Sequence, residues 1–197
     1  MNRAREPLLV CRDIVAGHRM PVVGPLGFTL AAGEVVGLLG PNGCGKSTLL
    51  GALTGTSRLF SGAIERRPGL RLTHHRQRVE RPHELPMTGR DLLRTLAADH
   101  RPPPAPLTSM LDRRLDHLSG GQFQLVLIWA TLASGSDLVL LDEPTNHLDP
   151  AAVDVLCRLL TEGADERAVL VVSHEAAFLS RVCSRVVELV AGYDADA

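Results

Sequence analysis

Lysine is almost absent from this 197-residue chain: Lys46 is the only one, and every other basic side chain is arginine. An excess of charge is absent too. The formal net charge is −1, so nothing marks the surface for nucleic acid or for an anionic membrane, and no direct nucleic-acid contact is expected. Long apolar runs are missing: those around Val35 to Leu39, Leu125 to Leu132 and Ala168 to Val172 fall far short of a membrane span. Met1 to Pro7 leads into a strand pattern without an apolar signal region, which points to a protein that stays in the cytoplasm. Cys11, Cys44, Cys157 and Cys183 are dispersed without a CxxC pair, so they read as reduced thiols and not as a metal cage. His74, His75 and His83 lack partners at ligand spacing and are expected at the surface.

What is present describes one globular domain. Apolar residues make up 45% of the chain, and short β-rich runs alternate with helical patterns, the mark of an α/β layered fold. Strands are expected at Leu8–Val15, Phe28–Ala31, Glu34–Leu39, Gly62–Glu65, Leu70–His75, Leu138–Leu141, Val169–Val172 and Val186–Leu189. Helices are expected from Lys46 through Leu53, at Asp91–Ala98, from Leu118 to Leu132, from Ala151, and at Glu175–Val182. The proline-rich Arg101–Pro106 stretch is expected to be an extended surface loop, and 191–197 a frayed tail.

The lone lysine stands in Gly40-Pro41-Asn42-Gly43-Cys44-Gly45-Lys46-Ser47, followed by Thr48. This is a complete phosphate-binding loop. Its backbone N–H groups wrap phosphate oxygens, and the following helix adds the positive end of its dipole. A compact ammonium reaches the β- and γ-phosphates where a planar guanidinium is too bulky, which is why one lysine survives at this place. Ser47 is placed to put its hydroxyl on Mg²⁺, and Thr48 to reach the α-phosphate. The Cys44 thiol is expected to be alkylated, with bound nucleotide slowing the reaction.

A second element is Leu138-Val139-Leu140-Leu141-Asp142-Glu143, an apolar strand that delivers two carboxylates at its end. Asp142 suits a Mg²⁺ partner acting through water, and Glu143 an attacking water that it orients and deprotonates. A third is Leu118-Ser119-Gly120-Gly121-Gln122, where a serine and two glycines open a helix and make a further anion-binding terminus. One nucleotide on one chain has no use for both termini. Two chains do, if each offers Ser119 and Gly121 to the γ-phosphate held by the other.

In this order, with Asn146-His147-Leu148-Asp149 and Ser173-His174 following, these residues are similar to the motif set of the ATP-binding cassette (ABC) ATPases over nearly the whole length. The resemblance implies a P-loop NTPase fold. Its core would hold a mixed or parallel sheet, at about 1–77 and 118–190, with a small inserted helical subdomain at about 78–117. It implies ATP and Mg²⁺ as ligands and ATP hydrolysis as the activity. Gln77 falls where the family keeps a glutamine that senses Mg²⁺ and the lytic water; Gln124 competes for that role but lies inside the signature helix. His174 falls where a histidine contacts the γ-phosphate, and Asp149 where an acid braces the dimer seam. The family's aromatic for adenine is missing from Ile14 to Arg19, which leaves His18 or Arg19 to stack. The bulky Phe123, Leu125 and Trp129 replace basic residues after the signature, so that face is expected to meet its partner differently.

The resemblance further implies a homodimer, or a heterodimer with another ABC subunit, docked on the cytoplasmic side of a membrane permease and peripheral to the inner face of the cell membrane. The spacing from Gln77 to Pro86-Met87-Thr88 is similar to cassettes of metal-ion importers. Two alternatives stay open: a ribosome-associated translation factor of the ABC-F type, and an ATP-binding switch without efficient turnover. The chain ends soon after the switch strand, so no appended regulatory domain is expected.

Overall fold

The computed structural model describes residues 6–76, 86–162 and 167–190. At its centre is a parallel sheet of five strands. In spatial order these are β5 (Leu72–His75), β6 (Leu138–Asp142), β7 (Ala168–Ser173), β3 (Val35–Leu39) and β8 (Arg185–Glu188). A separate antiparallel sheet has β1 (Pro7–Gly17) between β2 (Pro21–Ala31) and β4 (Arg58–Arg66).

Strand alternation sorts the apolar residues into two cores. On one face of the parallel sheet, Leu138, Leu140, Leu170 and Val172 pack with Leu49, Leu50 and Leu53 of α1 (Lys46–Thr54) and with Leu8, Ile14 and Leu30 of the antiparallel sheet. On the other face, Val139, Leu141, Val169 and Val171 meet α4 (Gly120–Ala133), α5 (Pro150–Glu162) and α6 (Ala176–Val182). Strands buried on both faces read as continuous apolar runs, as these do. The same second core takes in Leu93 of α2 (Gly89–Thr95) and Leu107 and Leu111 of α3 (Ala105–Leu111).

Several expectations change. The proline-rich stretch is not loop throughout, because Ala105 and Pro106 begin α3. Proline is tolerated there because the first-turn N–H groups have no intrahelical acceptor. β2 and β4 run well beyond Phe28–Ala31 and Gly62–Glu65. Both are edge strands, where Pro21 and Pro25 can sit and apolar alternation is weak. Phe123, Leu125 and Trp129 are buried in this chain's own core and so are not a partner-facing surface. His83 and the 191–197 tail lie outside the described residues.

His75 is not at the surface either. It pairs with Leu141 in the sheet and is buried, while His74 is half-buried. Burial, helped by the neighbouring His74, pushes the His75 pKa down to about 4 from 6.5. Between those values the unfolded chain binds a proton that the folded chain refuses. Stability from this group is therefore complete above pH 6.5 and falls as the pH drops toward 4, by on the order of 3 kcal/mol at most. Urea midpoints of the parent and of His75→Phe should keep a constant offset above pH 7, and below it the parent should lose stability relative to the variant. An offset independent of pH from 7 to 4 would rule out a buried neutral imidazole.

Candidate nucleotide site

The three central strands β6, β7 and β3 end side by side. Leu39 is in register with Ser173, and Asp142 with Val172. Their carboxyl ends therefore bring the 40–45 loop, the Asp142–Glu143 pair and His174 to one rim of the sheet, where α/β folds place their ligands. These segments line a cleft of about 340 Å³, joined by Val22, Asn42, Ser47, Thr48 and Asn146.

The loop is shaped by its glycines. Gly45, which caps α1, has φ 101°, and a Cβ built there would lie 3.0 Å from the Val23 side chain. Backbone and space both require glycine at this point. No side chain caps the N-terminus of α1, so its first N–H groups are left for an anion. Lys46 is 7% exposed and turns back over the loop, its Nζ donating to Gly40 O at 2.8 Å and to Pro41 O at 3.0 Å.

Across the cleft, Glu143 is 6% exposed and has φ 47°, an uncommon value for a residue with a side chain. Its N–H is tied to Val172 O at 2.9 Å, which fixes the turn leaving β6. One carboxylate oxygen, Oε1, lies 3.1 Å from Lys46 Nζ. The distance is that of an ion pair, but the angles are not those of a hydrogen bond, so Oε1 has charge compensation without a directed donor. The other oxygen, Oε2, is 2.9 Å from His174 Nδ1. An ionised carboxylate only accepts, so Nδ1 carries the proton and Nε2 remains as the imidazole's second hydrogen-bonding atom. Asp142 is half-buried. Desolvation, then the Glu143 charge beside it, raise its pKa from the ordinary aspartate value, and Lys46 opposes them.

Among the described residues, no group of three or more His, Cys, Asp or Glu is placed to hold a metal. The cleft instead offers hard oxygen donors, the Ser47 hydroxyl and the Asp142 carboxylate. Such a set suits a divalent cation that keeps water and shares its remaining positions with a phosphate.

The serine–glycine turn lies elsewhere. Ser119 caps α4, its Oγ accepting from Gln122 N at 3.2 Å while Gln122 Oε1 accepts from Ser119 N at 3.0 Å. Ser119, Gly121, Gln122, His147 and Asp149 line a second cleft of about 460 Å³, which shares no lining residue with the first. A Cβ on Gly121 would lie 3.3 Å from Leu148 Cδ2, so the turn sits tight against the segment after β6. Asp149 accepts from Ala152 N at 2.8 Å and so caps α5 in its own chain.

Other sequence-derived candidates fare differently. Gln77 lies outside the described residues. Gln124 does not compete for its place, because its Nε2 donates to Pro144 O at 2.8 Å and ties α4 to the loop after β6. Cys44 is 2% exposed, packed where a Gly40 Cβ would meet its Sγ at 2.6 Å, so it is no ready target for alkylation. His18 and Arg19 are on the exposed β1–β2 turn, and Val22 reaches the cleft, whose lining includes no Phe, Tyr or Trp. The sequence did not single out Val22, and it missed the Thr145 Oγ1 bond to Glu175 Oε1 at 2.8 Å, which ties the loop after β6 to the loop after β7.

A glycine loop joining a parallel strand to a helix, with a lysine and a strand-end carboxylate facing each other over it, defines the P-loop class of nucleotide-binding proteins. Residues 23–146 match the ABC transporter family, and the chain belongs to that family. It is an ATPase of that family, with ATP as its nucleotide. It is 39% identical over 194 residues to the zinc import ATP-binding protein ZnuC of Paracoccus denitrificans, covering 92% of this chain and 75% of that one. A solved structure described as an inward-facing conformation of a putative metal-chelate type ABC transporter superposes with a TM-score of 0.73 at 26% identity, covering 93% of this chain and 80% of that one. An archaeal ribosome recycling factor solved with a ribosomal stalk protein gives a TM-score of 0.79 at 28% identity. That match covers 95% of this chain but 38% of the other, so it is a match to part of a longer protein. Among the described residues no helix is long and apolar enough to cross a membrane.

Proposed function

We propose that this chain is the ATP-hydrolysing subunit of an importer. Two cassettes close head-to-tail over two ATP molecules, and the closure drives a separate permease from the cytoplasmic face of the membrane. The observation that carries this reading is Glu143 held between Lys46 and His174 at the lip of the phosphate loop. The zinc import relative supports import as the direction. Cargo is chosen by the permease. The division into a core (about 1–77 and 118–190) and a helical lobe (about 78–117) belongs to the same proposal, with the lobe receiving the permease.

The loop amides from Gly40 to Gly45 wrap the β-phosphate, Thr48 takes the α-phosphate, and Lys46 takes the β- and γ-phosphates. Lys46 already gives two of its three protons to Gly40 O and Pro41 O, so its third donor, not directed at Glu143, is left for a phosphate that draws the ammonium from its ion pair. Phosphate taken by Lys46 thereby frees the carboxylate. Glu143 then accepts the proton of the water whose oxygen attacks the γ-phosphorus. The bond to the β–γ bridging oxygen breaks, leaving ADP and inorganic phosphate. His174 orients Glu143 through Nδ1, and it donates to the γ-phosphate only with a second proton, on Nε2. Ser47, Asp142 and Gln77 would hold Mg²⁺, which neutralises charge on the β- and γ-oxygens when bound. The catalysis is positioning together with charge stabilisation.

The separate clefts support the two-chain arrangement, because a signature turn remote from its own phosphate loop is useful to a neighbour's. Asp149, at the exposed end of the second cleft, would brace that seam. Mixing two inactive variants tests it. Lys46→Ala lacks a phosphate grip, and Ser119→Glu sets a negative charge against the γ-phosphate. Each alone should turn over negligibly. An equal mixture should recover about a quarter of the parental rate, because half the dimers are mixed and each mixed dimer has one intact composite site. No recovery in mixtures shown to contain mixed dimers would refute the arrangement.

A further inference from the structure

We infer that Arg113 is a positioning residue that sets the orientation of the Ser119 turn and ties it mechanically to the 87–89 segment that leads into α2; this rests on the two-chain reading above. Arg113 is exposed and fills no part of the core. Its guanidinium makes two bonds in opposite directions along the turn. Nη1 donates to Gln122 Oε1 at 3.2 Å, and Nη2 donates to His117 O at 2.6 Å. Gln122 Oε1 is the same atom that accepts from Ser119 N, so the oxygen closing the capping box is itself gripped by the arginine. The His117 carbonyl lies two residues before Ser119, so both sides of the signature turn are clamped by one rigid fork. A planar guanidinium suits that task in a way an ammonium does not.

The backbone of Arg113 adds the second link. Gly89 N donates to Arg113 O at 3.3 Å, and Leu115 N donates to Met87 O at 2.9 Å, with Thr88 and Arg114 bridged antiparallel between them. A displacement of the 87–89 segment therefore moves residues 113–115 with it. Through the Arg113 side chain it also turns the capping box that aims the Ser119 hydroxyl. In this chain one residue joins the helical lobe to the signature turn by its backbone and its side chain together.

The test compares ATP turnover, KM and thermal unfolding midpoint in Arg113→Ala, Arg113→Lys, Gln122→Leu and the Arg113→Ala/Gln122→Leu double variant, with Ser119→Glu alongside. Arg113→Ala should lower kcat roughly 10- to 100-fold, the scale of a misplaced catalytic donor. KM for ATP and the unfolding midpoint should stay at parental values, because the phosphate loop and the core are untouched. Arg113→Lys should recover part of the loss, since an ammonium reaches one acceptor but not both. Gln122→Leu should match Arg113→Ala, and the double variant should lose no more than either single one. Parental turnover in Arg113→Ala beside an inactive Ser119→Glu would overturn this inference and leave the proposed function standing. Parental turnover in Ser119→Glu would overturn the proposed function itself, and this inference with it. A loss that lysine does not relieve, or that multiplies in the double variant, or that comes with a lowered midpoint, would assign Arg113 to general stability and overturn the positioning role.

Discussion

Glu143→Gln is expected to lower ATP turnover by about 100-fold or more while leaving ATP binding intact or stronger. The first half follows from chemistry: an amide has the shape of the carboxylate but cannot take a proton from water, and general-base assistance contributes roughly 10²- to 10⁴-fold. The second half follows from the surroundings of this carboxylate. Glu143 is nearly fully buried and lies 3.1 Å from the only lysine in the chain, so it competes with the nucleotide for Lys46. Removing its charge ends that competition and removes repulsion between the carboxylate and a polyphosphate. Lys46 keeps its bonds to Gly40 O and Pro41 O, and His174 can donate to the amide oxygen, so the fold has no reason to fail. Affinity for a fluorescent ATP analogue should therefore equal or exceed the parental value, with single-turnover hydrolysis almost gone. Parental turnover would remove Glu143 from the role of base. Weakened binding would mean that the carboxylate supports the phosphate grip instead of competing with it.

The parts of this site that the sequence makes legible are those written as short runs beside a buried strand. The phosphate loop follows β3, the carboxylate pair ends β6, and His174 follows β7, so chain order and strand direction suffice to bring them together. The parallel core is legible for the same reason, since its strands are apolar on both faces. The antiparallel sheet is far less so. β2 and β4 are edge strands with prolines, glycines and exposed positions, and nothing in their pattern announces eleven- and nine-residue strands. The Arg101–Pro106 run misleads because proline argues against a helix interior but not against a first turn, which is where Pro106 falls. α4 misleads in another way. Its apolar residues go all round the helix, so no stripe tells which of them face inward, and the packing buries Phe123, Leu125 and Trp129 alike. Contacts between distant segments leave no pattern at all: the Thr145–Glu175 tie and the Glu143–His174 bond appear only when the strands are in register.

The register also explains why so few residues dominate the site. Glu143 and His174 follow the ends of two adjacent strands and Lys46 opens α1 beyond the loop after a third, and each restrains the next, so the side chains are held before any substrate arrives. Such preorganisation is what lets fixed charges act without reorganising during the reaction. It also makes the positively charged member irreplaceable.

Lys46→Arg is accordingly expected to weaken ATP binding by about 100-fold although it keeps the charge, in a chain that uses arginine at every other basic position. Lys46 Nζ is a point donor enclosed by two carbonyls and a carboxylate, all within 3.1 Å, on a side chain that is almost wholly buried. A guanidinium is wider and planar, and its five donors diverge. It cannot satisfy Gly40 O and Pro41 O at once and still present an N–H toward the phosphates, so it must leave the loop. Charge-assisted hydrogen bonds contribute about 1.5–3 kcal/mol each, and losing one or two of them accounts for the expected drop. Lys46→Ala separates charge from geometry. It should bind ATP as poorly as Lys46→Arg, but it should also lower the unfolding midpoint, because Glu143 is left buried without its cation and breaking such a pair costs about 3–5 kcal/mol. Titration with a fluorescent ATP analogue and thermal unfolding of both variants give the two readouts. Near-parental affinity in Lys46→Arg would show that any cation serves at this position, and the survival of a single lysine in this sequence would then lose its physical explanation.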